Sequence, residues 1–405
     1  MKKNISIMMV AIIFINIISF NAIASNEKNI SIFSENEKKQ LQVYSSKLST
    51  SPEVMCLKEQ GYLDDFIIYL SEEYNNQLRL NYNESIVQLK EWGLSENMTI
   101  SELKTRAQKC LNMNYNGILI GSNDFDLLVK SYLYDESNQI VKKANENSAF
   151  AALYVYMCIY NEYFLRVNTL TNNNFIDRKQ LDVDSYILSD VIMNDVTLEM
   201  KNSYVPILVE TFMEENNLEV KEELVLPKLN SAMIQAYALL YSASEQGNTE
   251  EYHHIDGGDC TNFVSQCLRF AKMPFYAKES DKHGNGYIQT DERWFYYKNS
   301  SATGYSVSTS WIRVSELYDY LSPHYTTVVK IADEDMTPYL YKGDILQGKP
   351  FIGSYSHSVV ITKTFIEGTS VYEITYCAHT NARRKEPIQT FYDGFYKGRI
   401  IHVCD

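Results

Sequence analysis

The chain has little positive charge to offer a polyanion. Its 405 residues carry 37 Lys and Arg against 51 Asp and Glu, a formal charge of −14. Nucleic acids are held mainly by Lys and Arg contacts to phosphates, so no nucleic-acid partner is expected. None of the seven cysteines forms a CxxC pair, which removes a thiolate zinc site; no metal and no cofactor are expected. Beyond the first 20 residues no stretch is long and apolar enough to cross a bilayer, which takes about 20 apolar residues. No stable membrane insertion is therefore expected. Repeated wall-binding modules are also missing. What remains is globular in composition, at 45% hydrophobic and 22% charged residues, and long enough for two or three domains. The 32 tyrosines fit an AT-rich coding bias, or more sharply a carbohydrate-binding aromatic surface.

The first residues carry a signal of their own. Lys2 and Lys3 precede an apolar run from Ile5 to Phe20, closed by Ala22-Ile23-Ala24. A positive start, a short apolar run and small residues at the end make residues 1–24 an expected secretory signal, cleaved after Ala24. The run contains Asn16 and falls short of a span, and no Cys follows the cleavage point to take a lipid. The expected location is periplasmic or extracellular. There, free thiols tend to pair. If Cys260 stays free for chemistry, Cys56, Cys110, Cys158, Cys267, Cys377 and Cys404 remain, and spacing alone does not choose their pairing.

Along the mature chain the pattern changes twice. Residues 25–120 read as a helical region: Leu41, Tyr44, Leu48 and then Phe66, Ile67, Leu70 recur at helical spacing. Residues 121–225 read as a small α+β region. Leu153, Val155, Met157 and Ile159 alternate, as does Val196 to Met200, and the Asn172–Asn174 cluster marks a loop tip. Residues 226–405 open with a helix from Asn230 to Ser244 and contain the chemistry.

The centre of that region is Gly257-Gly258-Asp259-Cys260-Thr261-Asn262-Phe263-Val264-Ser265-Gln266-Cys267-Leu268. Two glycines make a turn, and Asp259 or Thr261 can cap the helix that follows. Cys260, Phe263, Val264, Cys267, Leu268 and Ala271 share one face, which puts Cys260 in the first turn of a buried helix. Unpaired N–H groups and the positive helix end favour a thiolate there, the nucleophile of amide hydrolysis. A plain core cysteine is the competing reading. Two histidines shift the balance. His357 begins a predicted strand, Ser356 to Ile361, following one opened by Gly343-Asp344-Ile345-Leu346. His379 closes another, Tyr372 to Ala378, reached through a turn at Glu367-Gly368-Thr369. A helix-borne Cys beside strand-borne imidazoles is an arrangement for deprotonating a thiol.

These residues carry a resemblance. From Asn230 to Asp405 the chain resembles the putative amidase domain family, a branch of the papain-like group that includes the NlpC-type and CHAP hydrolases. The matching elements are the lead helix Ala232 to Ala238, the approach Asn248 to Tyr252 and DCTNFVSQCL at 259–268. They continue with Trp294-Phe295-Tyr296-Tyr297, Thr309-Ser310-Trp311, Gly343-Asp344, His357-Ser358-Val359-Val360 and Ala378-His379-Thr380. The resemblance implies an α+β fold with a papain-like hydrolase domain, its Cys-bearing helix on an antiparallel sheet, preceded by the helical and small α+β regions. It implies Cys260 as nucleophile, His357 as general base and His379 as the orienting third residue. Asn381 and Ala382 stand where the family often has an acidic residue.

The backbone N–H of Cys260 is the expected oxyanion donor, while Asp259 and Asn262 read either as site residues or as cap and packing residues. Asp281 to Glu292 nearly fits a calcium loop, but His283 occupies a position that needs an oxygen ligand. His253, His254 and Asp256 read as residues at the cleft mouth or in a plain loop. The expected enzyme is an exported cysteine amidase acting on the peptide cross-links or lactyl–alanine amide of peptidoglycan. The alternatives are a secreted toxin or effector amidase acting on another cell, and a binding protein on an inactive hydrolase scaffold.

Overall fold

The computed structural model describes residues 52–134, 138–165, 186–200, 205–216, 218, 226–244, 247–255, 259–300, 303–363, 373–379 and 382–404. The leader, the stripe Leu41, Tyr44, Leu48, the Asn172–Asn174 cluster, Asp256 to Gly258 and the turns at Glu367 to Thr369 and Thr380-Asn381 lie outside those residues.

Every regular element of the described N-terminal half is a helix: α1 (Pro52–Gln60), α2 (Leu63–Glu91), α3 (Ile100–Asn114), α4 (Asn123–Tyr134), α5 (Ile140–Glu146), α6 (Ser148–Tyr160), α7 (Leu188–Glu199) and α8 (Val205–Glu215). A π-helical turn, Asn161–Leu165, continues α6. The alternation at Leu153 to Ile159 and at Val196 to Met200, expected as strand, is therefore helix. In α6 every residue from Ala151 to Ile159 is buried. A helix covered on all sides is apolar on all sides, so period no longer separates it from a buried strand and only its length of 13 residues does. Asn147 starts it, its side-chain oxygen accepting from Ala149 N at 2.8 Å. In α7 the buried positions Leu188, Val191, Ile192 and Val196 follow helical spacing once the window exceeds five residues.

The chain divides into two compact units, residues 1–102 with 176–224, and residues 103–175 with 225–405. In the first, Phe212 of α8 packs on Phe66 and Tyr69 of α2, with ring centroids 5.2 and 5.1 Å apart. Tyr74 of α2 donates to the carbonyl of Thr197 in α7 at 3.4 Å.

The second unit holds the sheets. Its C-terminal part runs α9 (Ser231–Tyr241), α10 (Asp259–Phe270), α11 (Glu279–Lys282), β1 (Gly286–Ile288), β2 (Tyr296–Lys298), β3 (Tyr305–Ser308), α12 (Thr309–Ile312) and α13 (Val314–Leu321). Then come β4 (Thr327–Ile331), a 3-10 turn Glu334–Tyr339, β5 (Ile345–Lys349), β6 (His357–Lys363), β7 (Thr375–Ala378), β8 (Arg383–Pro387), α14 (Ile388–Gly394) and β9 (Lys397–Ile401). The main sheet has the order β4-β9-β5-β6-β7-β8, with every pairing antiparallel. A small sheet has the order β1-β3-β2. On the main sheet Leu346, Val359, Ile361, Tyr376 and Ile400 join Phe391 and Phe395 of α14 in one buried cluster. Each such side chain contributes about 1.5–3 kcal/mol on burial. α10 packs on β6 and against α9. The fold is α+β, a mostly helical N-terminal half followed by a helix-bearing antiparallel sheet.

Candidate active site

The site is built on α10, whose residues from Asp259 to Leu268 are all buried. A helix buried on every side needs partners for its polar side chains. Ser265 Oγ donates to the Trp311 carbonyl at 2.8 Å and accepts from Trp294 Nε1 at 3.2 Å. Trp311 Nε1 donates to Asn262 Oδ1 at 2.8 Å. The tryptophans singled out by sequence are thus a brace for α10, which holds the position of its first turn. Asn262 belongs to the same brace, its Nδ2 donating to the His253 carbonyl at 3.0 Å and to Asp259 Oδ1 at 2.7 Å.

Cys260 stands in that first turn, buried, and His357 opens β6. The two side chains meet in a hydrogen bond. Burial pushes the Cys260 thiol up, but that bond, the His357 charge, the Ser358 backbone N–H and the Thr261 hydroxyl together take it below the ordinary thiol value. The shift is toward the thiolate despite burial, the condition for a nucleophilic cysteine. Cys267, one helical stretch further on, shows the contrast. Burial, reinforced by neighbouring Cys377, raises its thiol well above the ordinary value. The His357 ring stacks on Phe395, 5.7 Å between centroids and 15° between planes. Gly348 lies opposite His357 in the strand register, and a Cβ there would fall 2.6 Å from the Phe395 ring. The glycine is what lets Phe395 lie across the strands beside the histidine.

His379 is buried too, but its hydrogen bonds run to α10 and to the end of α9 rather than to His357. Its Nδ1 lies 2.5 Å from Asp259 Oδ2 and its Nε2 lies 3.0 Å from the Tyr241 carbonyl. Both ring nitrogens are thus engaged. The ring also stacks on Phe263 at 4.2 Å. Asp259 Oδ1 accepts from Ile255 N at 2.9 Å as well as from Asn262. The carboxylate expected as a helix cap therefore ties α10 to the end of β7 and, through His379, to the end of α9.

Next to Cys260 a second network begins. Thr261 Oγ1 is 3.1 Å from Ser358 Oγ, which accepts from Gln347 Nε2 at 3.2 Å. Gln347 Oε1 accepts from Arg399 Nε at 2.6 Å. Ser358, Gln347 and Arg399 are direct register partners across β6, β5 and β9, so they share one face of the sheet. The guanidinium lies between Tyr318 and Tyr355, 3.7 and 4.0 Å from the ring centroids, a sandwich that shelters a buried cation.

Other sequence signals resolve into structure. Asp281 of the calcium-like stretch is held by Arg293 Nη1 at 2.6 and 2.8 Å and accepts from Lys278 N at 2.7 Å. His253 stacks on Tyr305, and His254 Nδ1 approaches Asp259 Oδ2 at 3.6 Å. Among the described residues no group of three or more His, Cys, Asp or Glu side chains is arranged to hold a metal ion. Cys110, Cys260, Cys267 and Cys377 are buried free thiols. Sequence reasoning missed the Asp259–His379 pair, the Phe395 stack and the Arg399 row. Only the first had a local signal, in an acidic residue directly before Cys260.

Neither the curated proteins nor the solved structures contain a match to this chain. Residues 228–401 match the family model described as a putative amidase domain. That segment contains Cys260, His357 and His379, and its match to a putative amidase domain supports an amidase-type hydrolase activity on C–N bonds.

Proposed function

We propose that Cys260 and His357 hydrolyse an amide through a thioester. The observation that carries this reading is a buried thiol in the first turn of a helix, bonded to His357 and held below its ordinary pKa. The Cys260 thiol passes its proton to His357 as its sulfur attacks the carbonyl carbon, and the resulting oxyanion sits at the first turn of α10, beside the Cys260 N–H. His357 gives its proton to the leaving nitrogen as the C–N bond breaks. Water then attacks the thioester with His357 as base, releasing the acid and restoring the thiol. His379 acts as a positioning residue, fixing Asp259 and with it the residue adjoining the nucleophile. The substrate class is the peptide or lactyl–alanine amide of peptidoglycan, supported by the leader-like residues 1–24 together with the amidase domain. Zymography on purified cell wall, beside a library of peptide amides, tests it with native protein, Cys260→Ser and His357→Ala. Clearing by the native protein and by neither variant supports the reading. Hydrolysis that survives Cys260→Ser would sink it.

A further inference from the structure

His357 is the first residue of β6, and residues 350–356 connect it to β5. Phe351, Ile352 and Tyr355 of that connection are buried, so its backbone donors need partners inside the protein. Two partners come from helices that precede the amidase segment yet belong to the same compact unit. Phe351 N donates to the Tyr154 hydroxyl of α6 at 2.8 Å. Ser356 Oγ, on the residue adjoining His357, donates to the Leu133 carbonyl of α4 at 2.9 Å. Leu133 lies in the last turn of α4, where carbonyls have no partner within the helix and are open to an outside donor. Tyr154 is fully buried on a helix that is itself core, and burial pushes its hydroxyl far above the ordinary value. It is a neutral, fixed hydrogen-bonding group. A third approach comes at Gly353, whose φ is +110° and whose added Cβ would lie 3.1 Å from Glu162 Oε2.

We propose that α4 and α6 set the position of His357 against Cys260, with Tyr154 and Ser356 as positioning residues. The proposal rests on reading His357 as the base. Its logic is that the hydrogen bond from His357 is the largest influence opposing burial at the Cys260 sulfur, so a loop that drifts weakens that bond and lets the thiol rise. A rise of one pKa unit cuts the thiolate fraction about tenfold at any pH below the thiol pKa.

The test uses the full chain and iodoacetamide as probe of Cys260. Labelling rates are measured across pH for native protein, Tyr154→Phe, Ser356→Ala, the double variant and Ser356→Thr, with thermal melts of each. The expected result is a labelling midpoint displaced to higher pH in Tyr154→Phe and Ser356→Ala, and about a tenfold slower rate at neutral pH in the double variant. Ser356→Thr, which keeps the hydroxyl, should restore the native midpoint. Lower melting temperatures with an unmoved midpoint would overturn the proposal, because the helices would then serve stability alone. If the double variant does not fold, the two single variants and Ser356→Thr decide the matter by the same midpoint. Failure of the underlying reading looks different: the native midpoint would then be insensitive to His357→Ala as well.

Discussion

Removing the His379 ring should cost stability more than any other single change at the site. The side chains of His379 and Asp259 are 1% and 7% exposed. Deleting one partner of a buried hydrogen-bonded pair leaves the other unsatisfied and costs about 1–3 kcal/mol. Asp259 would keep the Ile255 and Asn262 donors, but His379 is lost to the Tyr241 carbonyl as well, so this contribution is about 3 kcal/mol. Loss of the ring stacked on Phe263 leaves a small cavity worth about 1 kcal/mol more. The sum, about 4 kcal/mol, corresponds to a fall in melting temperature of about 8–16 °C for a unit of this size. Circular dichroism melts of native protein, His379→Ala and Asp259→Asn would measure it, with the double variant closing a cycle. The pair predicts strong coupling, so the double variant should lose clearly less than the sum of the two singles. A His379→Ala protein that melts within about 2 °C of native, or a cycle that is simply additive, would refute the reasoning.

The lowered Cys260 thiol should give iodoacetamide labelling that persists at pH values below the ordinary thiol range, and in His357→Ala, with burial no longer opposed by the imidazole, the midpoint should move up. Cys267, raised by burial and by Cys377, should stay unlabelled in the folded protein; mass spectrometry of labelled peptides reads both. Gly247→Ala places a methyl 2.0 Å from His379 Cε1 at a backbone φ of +56°. It should therefore lower the melting temperature about as much as His379→Ala, and a native melt would show that the ring has room to move. A fragment beginning at Leu226 deletes α4 and α6 and with them the partners of Phe351 and Ser356. It should lose cooperative melting and hydrolysis of a small amide together. A fragment that melts cooperatively and hydrolyses the amide would show that residues 226–405 need no support from the preceding helices.

The amino-acid sequence by itself determined the parts of this protein that depend on neighbours along the chain. A two-glycine turn before Asp259 and an apolar face at helical spacing from Cys260 to Ala271 required a helix with the cysteine in its first turn, and α10 begins at Asp259. Ser356 to Ile361 read as a strand starting at His357, where β6 begins. The order of these motifs also carried the resemblance to the putative amidase domain, whose family model matches residues 228–401. Tertiary structure decided what periodicity does not encode. The run Ala151 to Ile159 is apolar on every side because other elements cover it, and such coverage erases the difference between helix and strand in a short window. The partner of His379 is Asp259, 120 residues earlier, and the partner of Phe351 is Tyr154, 197 residues earlier. Distance along the chain hides such pairs, since a polar side chain that will be buried looks in sequence like one that will face water. Burial alone forces it to find a hydrogen-bonding partner, and burial is a property of the folded whole.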